Sequence, residues 1–224
     1  MSNSGEIIEV NNLIKKQFDL DIYEEIIKEP DPSNTEWQKK FNNYYDVIKR
    51  DKKWQNAFYK VFKEYLDNKK ANSKRKQSEL FEEVLTTLKE RLDKSGTKNT
   101  SRVEASFCSK MLATIYPEKY PVIDENVFSK MNLKLKRNGK TEDRIRADVE
   151  EYNKLCERYF KFIKNHAKEM QHARALFESS FPECKKYSDI KIIDFFLWKT
   201  KSDENPEILN IFDKTICKNP PVDM

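Results

Sequence analysis

Glycine is nearly missing from this chain: three occur in 224 residues, at Gly5, Gly96 and Gly139. Glu, Lys, Leu and Ile instead fill long uninterrupted runs, a composition that suits helices and disfavours a turn-dense, strand-rich fold. Histidine is scarcer still. His166 and His172 are six apart, not on one helical face, and they are assigned no site. Four cysteines, Cys108, Cys156, Cys184 and Cys217, are scattered with no CxxC spacing, which predicts reduced thiols and no zinc site. A long apolar run is also lacking, so no membrane span is expected. The opening MSNSGEIIEV is polar and acidic, unlike a secretion signal, and the expected location is the cytoplasm.

What is present is charge and aromatic surface. Charged residues make up 36% of the chain and aromatics 12%, the latter largely Phe and Tyr at helical spacing, so the chain carries enough apolar material for a core. The expected class is all-α, a single two-lobed helical domain over residues 1–200, followed by a C-terminal helix and tail over 201–224. The formal charge of +5 permits nucleic acid as a partner without requiring it.

The pattern divides the chain into helices. Ser4 is a candidate cap for a first helix, and DIYEEIIKE forms a second that ends before Pro30. Trp37, Phe41, Tyr44, Tyr45 and Ile48 recur at helical spacing from Thr35, and Trp54, Phe58, Val61, Phe62 and Tyr65 repeat the pattern after the charged KRDKK break. The stretch DNKKANSKRKQS holds five Lys or Arg and almost nothing apolar; it reads as a solvated connector or a phosphate-contacting patch. Gly96 ends the helix ELFEEVLTTLKERL, and another is expected from Thr100 or Ser101 toward Tyr116. KLKRNGK is a second basic loop. A long helix over 141–165 has Ile145, Val149, Tyr152, Leu155, Tyr159, Phe160 and Ile163 on its apolar side. AKEMQHARALFESSFP, ended by Pro182, and SDIKIIDFFLWKT, capped by Ser188, supply two more.

The segment VEASFCSKMLATIYPEKYPVIDENV carries the chemistry. Lys110 stands among Phe107, Met111, Leu112, Ile115 and Tyr116, and Asp124 returns beyond a turn that Pro117 and Pro121 stiffen. A free lysine amine is protonated and a poor nucleophile unless its surroundings disfavour the charge. In a pocket, such an amine can form a Schiff base while a carboxylate offsets positive charge on a sugar, a workable pair for breaking an N-glycosidic bond. The same residues are equally an ordinary helix-surface lysine and a helix N-cap.

The segment resembles the pattern SFxSKxLxxxxPxxxPxxDxxV of a group of bacterial proteins associated with the helix-hairpin-helix DNA glycosylases, of the 8-oxoguanine glycosylase and endonuclease III type. The resemblance covers roughly residues 100 to 200, with the central motif at 100–135. It implies a glycosylase-like fold, DNA as partner, and excision of a modified or damaged base in repair, with no cofactor. Asp124, Asn126 and Val127 match the family's D-x-[NH]-[VI], in which the Asp opens a helix and stabilises the sugar cation; Lys110 lies where a bifunctional member's catalytic lysine could be. Lys130, Lys134, Lys136 and Arg137 are the candidate DNA contacts, with Trp198 as a base-stacking candidate that could equally be core. Arg102 and Glu104 could orient the pair or be solvated helix charges.

The chain also departs from the family's pattern. The Gly-x-Gly of its hairpin, whose backbone N–H groups meet a DNA phosphate, is missing. The gap of 14 residues from Lys110 to Asp124 is short, and Ser129 stands where a basic residue is expected. No cysteine cluster for an iron–sulfur centre occurs. The competing expectation is a helical module without chemistry that binds DNA or a protein.

Overall fold

A computed structural model describes residues 20–47, 50–97, 104–131, 133–135, 140–180, 182 and 187–199. The expected first helix at Ser4, the start near Thr100 or Ser101, Arg102, and the C-terminal helix and tail lie outside them. The described residues form helices and no strand, the α-helices being α1 (Leu20–Lys28), α2 (Thr35–Tyr44), α3 (Lys52–Asp67), α4 (Lys69–Asn72), α5 (Gln77–Ser95), α6 (Ala105–Ile115), α7 (Glu125–Lys130), α8 (Thr141–Asn165), α9 (Ala167–Ser180) and α10 (Asp189–Lys199). The chain is all-α. None of these helices is long and apolar enough to cross a membrane.

Short polar side chains start four of them by accepting a backbone N–H that has no partner within the helix. Asn34 takes Glu36 N at 2.8 Å, Asp51 takes Trp54 N at 2.8 Å, Asp124 takes Asn126 N at 2.9 Å and Ser188 takes Lys191 N at 3.2 Å. The charged break at KRDKK is therefore a helix start, with Asp51 as its cap. Gly96 ends α5 at φ +63°, a backbone that non-glycine residues enter only at a cost.

Aromatic stripes join the first helices. Trp37 stacks on Phe41 at 5.3 Å and Trp54 on Phe58 at 5.1 Å between ring centres, with Phe62 set edge-on against both Trp37 and Phe41. Phe41, Phe58 and Phe62 are fully buried, and each such ring contributes roughly 1.5–3 kcal/mol of burial. Helix α3 packs along α5, which packs in turn against α6 and α8, where Phe81 stacks on Tyr152 at 4.0 Å. One hydrophobic core runs from Leu20 to Leu197.

Helix α8 occupies the span expected from its periodicity, but Phe160 is its exposed aromatic, at 46%, and not part of the apolar side. The buried face takes Arg144, Asp148 and Cys156 instead. Helix α6 lies at the centre, touching α5 and α1, and buries every residue except Ser106. A helix covered on all sides cannot have a solvated face for its charges.

Candidate functional site

Lys110 is on this central helix and is 6% exposed, so it is not the surface charge that its spacing allowed. Its Nζ donates to the carbonyl of Tyr45 at 2.9 Å and lies 5.9 Å from the ring centre of Phe107. Tyr45 follows the last residue of α2, where helix carbonyls lack partners and carry partial negative charge. The ammonium thus closes the C-terminal end of α2. Thr114, one turn on, donates to the carbonyl of Lys110 at 2.9 Å and meets the Tyr45 hydroxyl at 3.3 Å. Burial drives the Tyr45 phenol well above its ordinary range, against the opposing effect of the Thr114 bond.

Asp124 is half-buried at the start of α7, in extended backbone, with Oδ1 accepting from Asn126 N. The segment leading to it is buried from Tyr120 to Ile123, so Asp124 is where this stretch first reaches solvent. Side chains from three helices hold that segment. From α6, Ser106 Oγ donates to Ile123 O at 2.9 Å, and Ser109 Oγ accepts Ile123 N at 2.8 Å while donating to Ser106 O at 2.8 Å. From α8, the Tyr152 hydroxyl donates to Pro121 O at 3.1 Å. From α10, both carboxylate oxygens of Asp194 lie 3.2 Å from Val122 N. Ser188 adds a bond to Pro117 O at 3.2 Å.

Asp194 is itself the centre of a buried polar knot. Tyr159 donates its hydroxyl to Oδ1 at 2.9 Å, and Lys191, one helical turn back, donates to Oδ2 at 3.0 Å. Both charged side chains are at most 2% exposed, and Lys191 also lies 5.4 Å and 5.9 Å from the ring centres of Tyr23 and Phe195. Burial raises the Asp194 carboxyl above its ordinary range; the Lys191 charge and its hydrogen bond, the Val122 amide and the Tyr159 hydroxyl oppose that rise.

The remaining candidates divide. Glu104 is not a solvated charge: at 6% exposure it accepts from Trp54 Nε1 at 3.2 Å and Arg50 NH2 at 3.4 Å, tying the entry of α6 to the start of α3. Asn126 is exposed beside Asp124, and Lys134 is exposed on the loop beyond, its backbone N–H donating to Glu151 at 3.2 Å. Lys136 and Arg137 lie outside the described residues, as do the side chains of Lys130 and Trp198. Ser106 to Ser109, the residues before Lys110 where the resemblance would put the hairpin's Gly-x-Gly, lie within α6.

Sequence reasoning missed the serines and the Lys191–Asp194 pair. A signal was available for the pair: two opposite charges at i and i+3 inside the run DIKIIDFFLWK, where the apolar residues around them forbid a solvated face. No family model, curated protein or solved structure matches the chain.

Proposed function

We propose that the chain is a DNA glycosylase-like protein of the two-lobed helix-hairpin-helix type, which extrudes a modified or damaged base and cleaves its N-glycosidic bond. In this reading the Asp124 carboxylate offsets the positive charge that develops on the sugar, and Lys110 is the nucleophile. The bond between C1′ and the base breaks with its electron pair leaving on the base, which takes up a proton. That proton comes from the Lys110 ammonium, and the amine so freed bonds to C1′; as the C1′–O4′ bond breaks, a proton passes from the nitrogen to the ring oxygen, leaving an iminium that a hydride donor can reduce.

The observation that carries the reading is the presentation of Asp124. A carboxylate at the first solvent-reaching position of a segment held by Ser106, Ser109, Tyr152 and Asp194 has a fixed direction before any substrate arrives. Fixed charges of this kind stabilise a developing cation without having to reorganise. Lys110 has to leave the Tyr45 carbonyl to reach a sugar.

That bond favours a second reading. At 2.9 Å and 6% exposure, the ammonium closes α2 as an interior structural group, and the chain is then a helical module that binds DNA or a protein without chemistry. Borohydride trapping on a panel of duplexes with damaged and modified bases separates the two. The proposal expects a covalent adduct that Lys110→Ala loses, and abasic product that Asp124→Asn loses. Abasic product without an adduct removes Lys110 from the chemistry and keeps Asp124; neither product across the panel overturns the enzyme reading.

A further inference from the structure

The connector between α3 and α5 is built unlike an ordinary solvated loop. Residues 68–78 contain Lys69, Lys70, Lys74, Arg75 and Lys76, no acidic residue, and Ala71 as their one apolar side chain. Such a segment has no hydrophobic means of ordering itself. It is nevertheless tied down through its backbone. The Tyr116 hydroxyl donates to Lys69 O at 3.0 Å, Lys119 Nζ donates to Ser73 O at 3.1 Å and Arg75 O at 3.0 Å, and the Gln77 amide donates to Lys119 O. Arg75 turns to Glu83 at 2.6 Å.

The tethers take the carbonyls and leave the cations outside. Lys69, Lys70, Lys74 and Lys76 are all exposed, and the ion pair described among them, Lys76 with Glu79 at 3.3 Å, is of the exposed kind that holds a side chain weakly. Tyr116 and Lys119 belong to the same Pro-bounded loop that ends at Asp124. The basic ridge and the segment before Asp124 are therefore anchored to one piece of backbone.

We infer that Lys69, Lys70, Lys74 and Lys76 form a docking surface for the phosphodiester backbone of duplex DNA, an inference that rests on the proposed function only for its choice of duplex DNA. A ridge of one charge sign on ordered backbone matches a row of phosphates, and ordering it beforehand lowers the entropy lost on binding. A bilayer is a poor match, because the segment offers no apolar face to enter one. A protein interface would need an apolar or aromatic centre, which is also lacking.

The test is the salt dependence of binding of the full chain to a short unmodified duplex, comparing wild type, a ridge variant with Lys69, Lys70, Lys74 and Lys76 changed to Ala, and a control with Lys28, Lys60, Lys94 and Lys168 changed to Ala. All eight lysines are exposed, and each variant removes the same charge. Four lost phosphate contacts lower the slope of log K against log salt by about 3.6, so between about 50 and 200 mM salt the wild type should lose roughly a hundredfold more affinity than the ridge variant. The control should follow the wild type. An unchanged slope in the ridge variant, an equal loss in the control, no duplex binding by the wild type, or binding only to phosphatidylserine vesicles or duplex RNA overturns the inference. A ridge that passes while trapping yields neither adduct nor abasic product stands without the glycosylase reading.

Discussion

Lys191 and Asp194 allow the sharpest test of how the segment before Asp124 is held. Asp194→Ala removes three things at once: the partner of a buried ammonium, the acceptor of the Val122 amide, and the acceptor of the Tyr159 hydroxyl. Leaving one charge of a buried pair unpaired costs about 3–5 kcal/mol, and each stranded buried donor about 1–3 kcal/mol. The total approaches the whole stability of a domain, about 5–15 kcal/mol, so the variant should be largely unfolded or melt far below wild type. Lys191→Met behaves differently, because Asp194 keeps its two other donors and can escape its charge by taking up a proton. Its carboxyl is already raised by burial, and loss of the ammonium raises it further. A carboxyl raised by folding gives stability that is complete below its unfolded value and is lost as pH rises through its folded value. Lys191→Met should therefore lose most stability at neutral pH and recover relative to wild type on acidification, while Lys191→Met/Asp194→Asn should recover much of the loss at neutral pH. Denaturant unfolding of the four proteins at acid and neutral pH measures these differences. Asp194→Ala costing under about 1 kcal/mol, or a Lys191→Met deficit that does not change with pH, would refute the reasoning.

Three further outcomes follow from the geometry. Asp124→Ala should cost roughly 1 kcal/mol through loss of the α7 cap and Asp124→Asn only a few tenths, while both abolish base release under the proposed function; denaturant unfolding and an abasic-site assay read the two effects separately. Gly96→Ala should cost roughly 1–2 kcal/mol by thermal unfolding, all of it backbone strain at φ +63°, since a Cβ there meets nothing within 4 Å. In a Cys184→Ser/Cys217→Ser background, Cys108 and Cys156 should resist Ellman's reagent until denaturant is added: burial pushes the Cys108 thiol well above its ordinary range and the Cys156 thiol up to about 12. Rapid labelling of the native protein would show one of them to be accessible.

Much of the fold was legible because helix periodicity and caps are local signals. The long helix over 141–165, the Asp124 and Ser188 caps and the left-handed Gly96 were all readable from neighbours within a few residues. Burial of charge was not. Lys110, Glu104 and Asp194 each look like surface residues by type, and their partners Tyr45, Trp54, Val122 and Tyr159 lie far away in the chain or on another helix, whereas the Lys191–Asp194 pair is local to one helical turn. A periodicity argument can say which face of a helix is apolar, but a helix such as α6, covered on every side, has no face to assign. The serines were missed for a related reason. Ser106 and Ser109 look like indifferent helix residues until the segment they hold is placed beside them.

The two halves of the proposed pair are unequal for a physical reason. Capping α7 and facing a sugar cation are compatible duties for Asp124, because the cap uses Oδ1 and the bond that starts the helix also sets the direction of the carboxylate. Asparagine keeps that geometry and removes the charge, so structure and chemistry can be separated by one substitution. Lys110 offers no such separation. Its bond to the Tyr45 carbonyl and any bond to a sugar use the same nitrogen, and the two cannot coexist. Arginine and glutamine can also donate to a carbonyl, but they differ from lysine in shape and reach, and a side chain without a donor loses the bond to the Tyr45 carbonyl altogether. For Lys110 the decisive evidence is thus the trapped adduct itself, located by peptide mapping on the wild-type chain, because activity lost in Lys110→Ala would follow from either role.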